Sequence, residues 1–140
     1  MNQALMSRGV NASFYSYACR FQDVAAAGTQ SQTITIDNDA DFDAMLATYF
    51  AGVDLNNQTA SSLLIPLALI EILTQDTQRM MNIAHPVTAL FGDARQPMVM
   101  PRPRRFARRT VITFNLTNLD ADTAIDNLWL CFIGQKVYSA

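Results

Sequence analysis

The run Thr110-Val111-Ile112-Thr113-Phe114-Asn115-Leu116 decides the fold class. Ile112, Phe114 and Leu116 fall on one side of an extended chain, and Thr113, Asn115 and Thr117 on the other, the period of a half-buried strand. Such a strand must bury its apolar face against a second layer. Towards the C-terminus, Asn118 to Asn127 reads as an Asp-rich turn. Leu128 to Ile133 is apolar on both faces and reads as a central strand covered on both sides. Gly134-Gln135 is then expected to bend the chain, with Val137-Tyr138 closing it.

Towards the N-terminus the punctuation is similar. His85 to Pro97 reads as a long loop holding Pro86, Gly92 and Pro97. Arg79 to Ile83 is expected to return from a hairpin turn at Gln75–Gln78, with Leu63 to Thr74, interrupted by Pro66, as the preceding strand. Gly52 to Ser62 is a polar loop. Thr33 to Asp37 alternates cleanly, and residues 14–24 form an aromatic-rich strand. Asp41 to Phe50 fits a short helix capped by Asp41, or a strand with Phe42, Ala44, Leu46 and Phe50 on one face; its surroundings favour the strand. The sum is a single all-β domain over residues 1–140, a two-sheet sandwich of about eight strands with long loops. Residues 1–13, small and polar, read as a candidate N-terminal arm.

Composition supports this class. Of 140 residues half are hydrophobic and 16% charged, which argues against disorder. The acids are eleven Asp and one Glu, and Lys136 is the only lysine, so solvent-facing helices have little material. The N-terminus, MNQALMSRGVNAS, lacks a basic-then-apolar leader, which points to synthesis in a cytoplasm. The longest apolar run, Leu63 to Ile70, is too short to cross a bilayer, so no membrane is expected. Cys19 and Cys131 read as two separate reduced core thiols, with a late disulfide as the alternative.

The basic run Pro101-Arg102-Pro103-Arg104-Arg105-Phe106-Ala107-Arg108-Arg109 carries five of the ten basic residues. Arg102, Arg104, Arg105, Arg108 and Arg109 form the candidate partner-binding site, because guanidinium forks suit carboxylates of a neighbouring subunit. Phosphate binding and a merely solvated run are the other readings; the net charge of -2 speaks against nucleic acid. Asp37, Asp39, Asp41 and Asp43 resemble a calcium loop only superficially. An EF-hand needs Gly sixth and Glu twelfth, where this chain has Phe42 and Thr48. An acidic loop of one copy meeting the Arg run of the next is one expectation from these two runs. The Asp120, Asp122 and Asp126 group reads as a turn. A lone His85, no G-x-S-x-G elbow and no Gly-rich phosphate loop give no catalytic constellation and no metal or cofactor site. Tyr15, Tyr17 and Tyr49 are candidate stacking groups for a carbohydrate.

His85-Pro86, Phe91-Gly92, the Pro-rich approach Pro97 to Pro103, Leu116-Thr117-Asn118, the Asp-rich turn and a final strand with Gly134 and Tyr138 follow a pattern. Over residues 70–138 the chain resembles small virion proteins of tailed bacteriophages, in particular the jelly-roll cement proteins of their heads. The resemblance implies a jelly roll on the capsid exterior that clamps neighbouring major capsid proteins as a homodimer, with no enzymatic activity and no catalytic residues. A neck or tail adaptor and a carbohydrate- or receptor-binding jelly roll are the alternatives.

Overall fold

The strand read from Thr110 onward is β10 (Val111–Asn118), and it buries Ile112, Phe114 and Leu116 as its alternation requires. The computed structural model describes residues 11–52, 56–58, 64–75, 78–93 and 95–138. The remaining strands are β1 (Asn11–Val24), β2 (Thr29–Thr35), β3 (Asp41–Ala51), β4 (Asn56–Gln58), β5 (Leu64–Pro66), β6 (Ala68–Thr74), β7 (Gln78–Arg79), β8 (His85–Pro86), β9 (Met98–Phe106) and β11 (Ile125–Tyr138). One short helix, α1 (Val87–Leu90), lies between β8 and β9.

Two antiparallel sheets pack as a sandwich. One has the order β1-β11-β3-β9; the other runs β2-β10-β6-β7, with β8 also on β6. The first strand thus pairs with the last, β2 with β10, β3 with β9, and β6 with β7. This is a long antiparallel hairpin rolled on itself, the jelly-roll winding. β4 and β5 make a separate two-stranded ribbon. The core lies between the sheets, where Phe132 of β11 meets the rings of Phe91, Phe106 and Phe114 at 5.7, 5.9 and 5.8 Å.

Asp41 to Phe50 is the strand its surroundings favour, with β11 and β9 bonded to both its edges. Several other local expectations change. Leu63–Thr74 is not one strand: the chain breaks at Leu67, Pro66 ending β5 before β6 begins. The return strand expected over 79–83 shrinks to Gln78–Arg79, and the turn before it lies partly outside the described residues. The loop expected over 85–97 contains β8 and α1, which bring Val87 and Phe91 into the core. Residues 1–10 of the expected arm lie outside the described residues, while 11–13 already pair with β11. β11 is central in its sheet, but only its inner face is covered by the other sheet.

Gly134 does not bend the chain. β11 runs through it, and the pairing with β3 shifts register between Ile133 and Gly134. A Cβ at Gly134 would collide with the Asp43 carbonyl of β3, so glycine is what permits this close approach. Gly134→Ala is expected to destabilise by roughly 1–3 kcal/mol, read as a lower urea midpoint. Gly52→Ala, whose Cβ meets open space, serves as the control and is expected to stay within about 0.5 kcal/mol.

Candidate functional site

The arginine run is a strand. Among the described residues β9 forms the edge of its sheet and bonds only to β3. Arg105 pairs with Asp43, Arg104 with Ala44, Val99 with Leu46 and Met98 with Ala47. The residues between Val99 and Arg104 therefore stand opposite Met45 alone, as a wide bulge. Pro101 and Pro103, which lack an N–H, fall inside this bulge, where the ladder requires no donor. Prolines, charges and a bulge on one edge also discourage the addition of a foreign strand.

The five arginines separate into two groups. Arg105 grips Asp43 with both arms, Nε to Oδ1 at 2.7 Å and NH2 to Oδ2 at 2.9 Å. The Arg108 backbone N–H donates to Asp41 Oδ1 at 3.0 Å, and its side chain lies 3.5 Å from the same oxygen. Arg109 Nε donates to Asn38 Oδ1 at 2.5 Å. Its φ of 68° is left-handed, at a cost of about 1–2 kcal/mol for a residue with a Cβ. Arg102 and Arg104 differ: neither has a carboxylate partner among the described residues, and both are exposed. Arg104 lies over the Phe106 ring at 5.6 Å, which fixes its aim without neutralising it. The acidic and basic runs therefore do meet, but within one chain, and the outward-facing cations are Arg102 and Arg104.

The acidic run has a second role that the sequence reading missed. Lys136, only 6% exposed, donates to Asp37 Oδ2 at 2.9 Å and to both Asp39 oxygens at 3.0 and 3.2 Å. Its ammonium sits 4.1 Å from the Tyr15 ring centre. Tyr15 donates its hydroxyl to Asp37, and Tyr17 accepts the Asp37 backbone N–H at 2.9 Å. The hydrogen bonds to Asp37, chiefly, hold the lysine proton above its usual range, and the bond from Lys136 pulls the Asp37 carboxyl below its own. Tyr15 and Tyr17 are thus engaged internally and form no open stacking platform. The signal was the alternation Leu128, Leu130, Phe132, Gly134, Lys136, which carries the lysine inward.

Along the inner side of β9 the two sheets do not close. A groove of about 250 Å³ is walled by Met80, Met81, Leu90, Met98, Met100 and Phe132, almost wholly apolar. A separate hollow of about 270 Å³ is lined by Thr74, Gln75, Arg104 and Arg105. The outer face of the same sheet is also apolar. Phe50 pairs with Trp129, and Leu46 pairs with Ile133 on one side and Val99 on the other. Phe50 and Val99 are 63% and 67% exposed. Arg20 lies over Trp129 at 5.2 Å and donates to Asn127 at 2.9 Å.

The thiols point to opposite faces. Cys19 is in the core, where burial raises its pKa to about 12, while Cys131 lies on the outer face between Ala18 and Thr48. A bridge between them would require breaking the strand pairing. Cys131 is therefore no core thiol. Asn118, by contrast, is a buried polar node: its amide donates to Val24, Ala25 and Thr123 carbonyls, and its oxygen accepts from Asp120 N–H. The Asp120 side chain in turn caps Asp122 and Thr123, so Asp120 and Asp122 form a turn, whereas Asp126, expected in the same turn, already lies in β11, which begins at Ile125. His85 Nδ1 lies 2.6 Å from the Ile83 carbonyl. Among the described residues no group of three His, Cys, Asp or Glu could hold a metal, and no helix is long and apolar enough to cross a membrane.

No family model and no curated protein matches the chain. Among solved structures it is similar to a serine protease of Aeromonas sobria, with 10% identity and a TM-score of 0.39, over 87% of this chain and 27% of that one. The chain thus spans about a quarter of the protease's length. It is also similar to a protein of Sulfurospirillum deleyianum, with 7% identity and a TM-score of 0.32, over 85% of this chain and 97% of that one. At these scores neither likeness bears on what the chain does.

The Lys136 cluster sets a pH dependence. A carboxylate with a lowered folded pKa contributes stability above its unfolded value, about 3.9, and that stability is lost as pH falls through the folded value. The urea midpoint of the wild type is therefore expected to drop on acidification below about pH 4. Asp37→Asn is expected to be less stable near neutrality and to show a shallower acid loss. An identical pH profile in the two proteins would remove the cluster from the account of stability.

Proposed function

We propose that this chain is a virion structural protein, a cement protein that binds the outside of a tailed-phage capsid and clamps neighbouring major capsid proteins. The reading takes the homodimer as its working unit and the capsid exterior as its location. One observation carries it: the outer face of the β1-β11-β3-β9 sheet presents Phe50 with Trp129 in one row and Leu46 with Ile133 and Val99 in another, the row Ala18–Cys131–Thr48 lying between them and the arginine edge bordering the face. Four strands at roughly 4.8 Å spacing make a flat platform about 14 Å across between its outer axes. Contiguous exposed apolar surface rimmed by charge is a mark of protein interfaces. The jelly-roll winding and the motif pattern over residues 70–138 support the same reading.

The physics of a clamp fits this surface. Apolar rows supply most of the binding free energy, while Arg102 and Arg104 orient the contact through acids on the shell. Many copies on one particle add avidity to a modest single contact. Arg105 and Arg108 serve instead to hold β9 and its turn to β3; reversing Arg108 would set a carboxylate against Asp41. A neck or tail adaptor would use the same platform, and position on the particle separates the two: a cement protein coats the shell, an adaptor occupies one vertex.

Phe50→Asp with Val99→Asp alters exposed side chains and is expected to leave the circular dichroism spectrum unchanged. Occupancy on purified heads is expected to fall at least tenfold, read by quantitative gel densitometry. Full occupancy by the folded double variant would refute the platform's role.

A further inference from the structure

We propose that the free edge of β1 pairs with the same edge of a second copy, antiparallel about a twofold axis at Ser16, joining the two β1-β11-β3-β9 sheets into one. The proposal deepens the clamp reading by naming the seam of its homodimer, and it rests on that reading only for the dimer's being the form that meets the shell.

Two contacts fix which way the backbone groups of β1 point. Gln22 stands opposite Asn127 of β11. Gln22 donates its N–H to the Gln30 side-chain oxygen at 3.3 Å, and its carbonyl accepts from the Gln30 amide at 2.9 Å. The Asn127 carbonyl accepts the Gly52 N–H at 3.1 Å, on the β3 side of β11. Gln22 and Asn127 therefore aim their backbone groups away from each other. Antiparallel alternation then sends the N–H and C=O of Ala12, Phe14, Ser16, Ala18 and Arg20 to the free edge as well. None of these groups meets a partner among the described residues. The Gln30 side chain gives Gln22 the donor and acceptor that a neighbouring strand would give, and so marks where an added strand stops.

The edge is also undefended. β1 runs 14 residues and pairs with β11 without a register shift from Asn11 to Gln22. It holds no proline, and between Asn11 and Gln22 the one charged residue is Arg20. β9, on the far side of the same sheet, carries the prolines, arginines and bulge that deter strand addition. β2, at the edge of the other sheet, spans only 7 residues, and its exposed side chains are Thr29, Ser31, Thr33 and Thr35.

A second copy is the occupant because the edge complements itself. Only one antiparallel register pairs all five outward residues with those of a twin, the one centred on Ser16. It sets Phe14 opposite the second copy's Ala18, Ala12 opposite its Arg20, and Ser16 opposite its own twin. The Phe14 ring, 77% exposed in the single chain, comes down beside a methyl group that leaves it room. The two Arg20 side chains stand about 26 Å apart along the seam, so like charges do not meet. β1 has one free edge, so the pairing closes as a dimer. The two outer faces then form one platform of eight strands, about 34 Å between its outer axes.

The test is sedimentation equilibrium of the whole chain, with thiols kept reduced. A reversible monomer–dimer equilibrium is expected between about 1 and 200 µM, with a Kd on the order of 10 µM. Ser16→Lys and Ser16→Glu each set like charges across the axis, and each is expected to weaken the dimer roughly tenfold with an unchanged circular dichroism spectrum. An equimolar mixture of the two variants is expected to associate again, which a variant that merely distorts β1 would not do. Thr33→Lys, on the β2 edge, is expected to leave the Kd within about twofold. A wild type that stays monomeric throughout, a dimer indifferent to Ser16→Lys, or a mixture that stays apart would overturn the proposal. A dimer with this seam that fails to decorate heads leaves the pairing standing and sinks the cement reading; heads decorated by a protein that is monomeric in solution do the reverse.

Discussion

Phe132 is the point on which both sheets turn. Its ring touches Phe114 from the opposite sheet, Phe106 from the edge strand and Phe91 from the segment that follows α1. Its strand, β11, is bonded to β1 on one side and to β3 on the other. Five distant parts of the chain thus converge on a residue near the C-terminal end. The winding makes this unavoidable, because the first strand pairs with the last. Loop closure over nearly the whole chain must precede those contacts, so folding is expected to be slow for the size.

Charge in this protein follows from that winding. Asp37 to Asp43 sit where the chain crosses between sheets, and three cationic side chains, Lys136, Arg105 and Arg108, are drawn onto them. These contacts hold the β9 edge and the end of β11 in register. The chain could have left all its cations to solvent. Instead it divides those of the arginine run into a set that secures the edge strand and a pair, Arg102 and Arg104, that faces outward over a proline-held bulge.

The sequence carried much of the sandwich. Period-two alternation identifies β10, because it has one strongly apolar face; the Asp41–Phe50 strand follows only from its surroundings, and Leu128–Ile133 from an apolar run that hides which face is inner. β9 was hidden: its prolines and arginines mask an edge strand, and a bulge breaks the alternation that would reveal it. Gly134 misled in the other direction, since a glycine that looks like a bend serves a close backbone approach. Ending β11 there also concealed Lys136, whose inward position follows once the alternation is carried past the glycine. The arginine run stands out in the sequence, but its division does not, because which guanidinium meets Asp43 or Asp41 depends on the β3–β9 register. The methionine groove left no local trace; its walls come from β9, α1 and the segment after β7, which only the fold brings together.

The burial of Lys136 gives the molecule an unusual exterior. It is the only lysine among the 140 residues, and it is enclosed by two aspartates and a tyrosine ring. The side-chain cations that reach solvent are therefore guanidinium groups alone. Succinimidyl esters and other reagents that acylate amines will find no accessible lysine in the folded sandwich, so mapping its side-chain neighbours by cross-linking calls for chemistry directed at arginine or carboxylate.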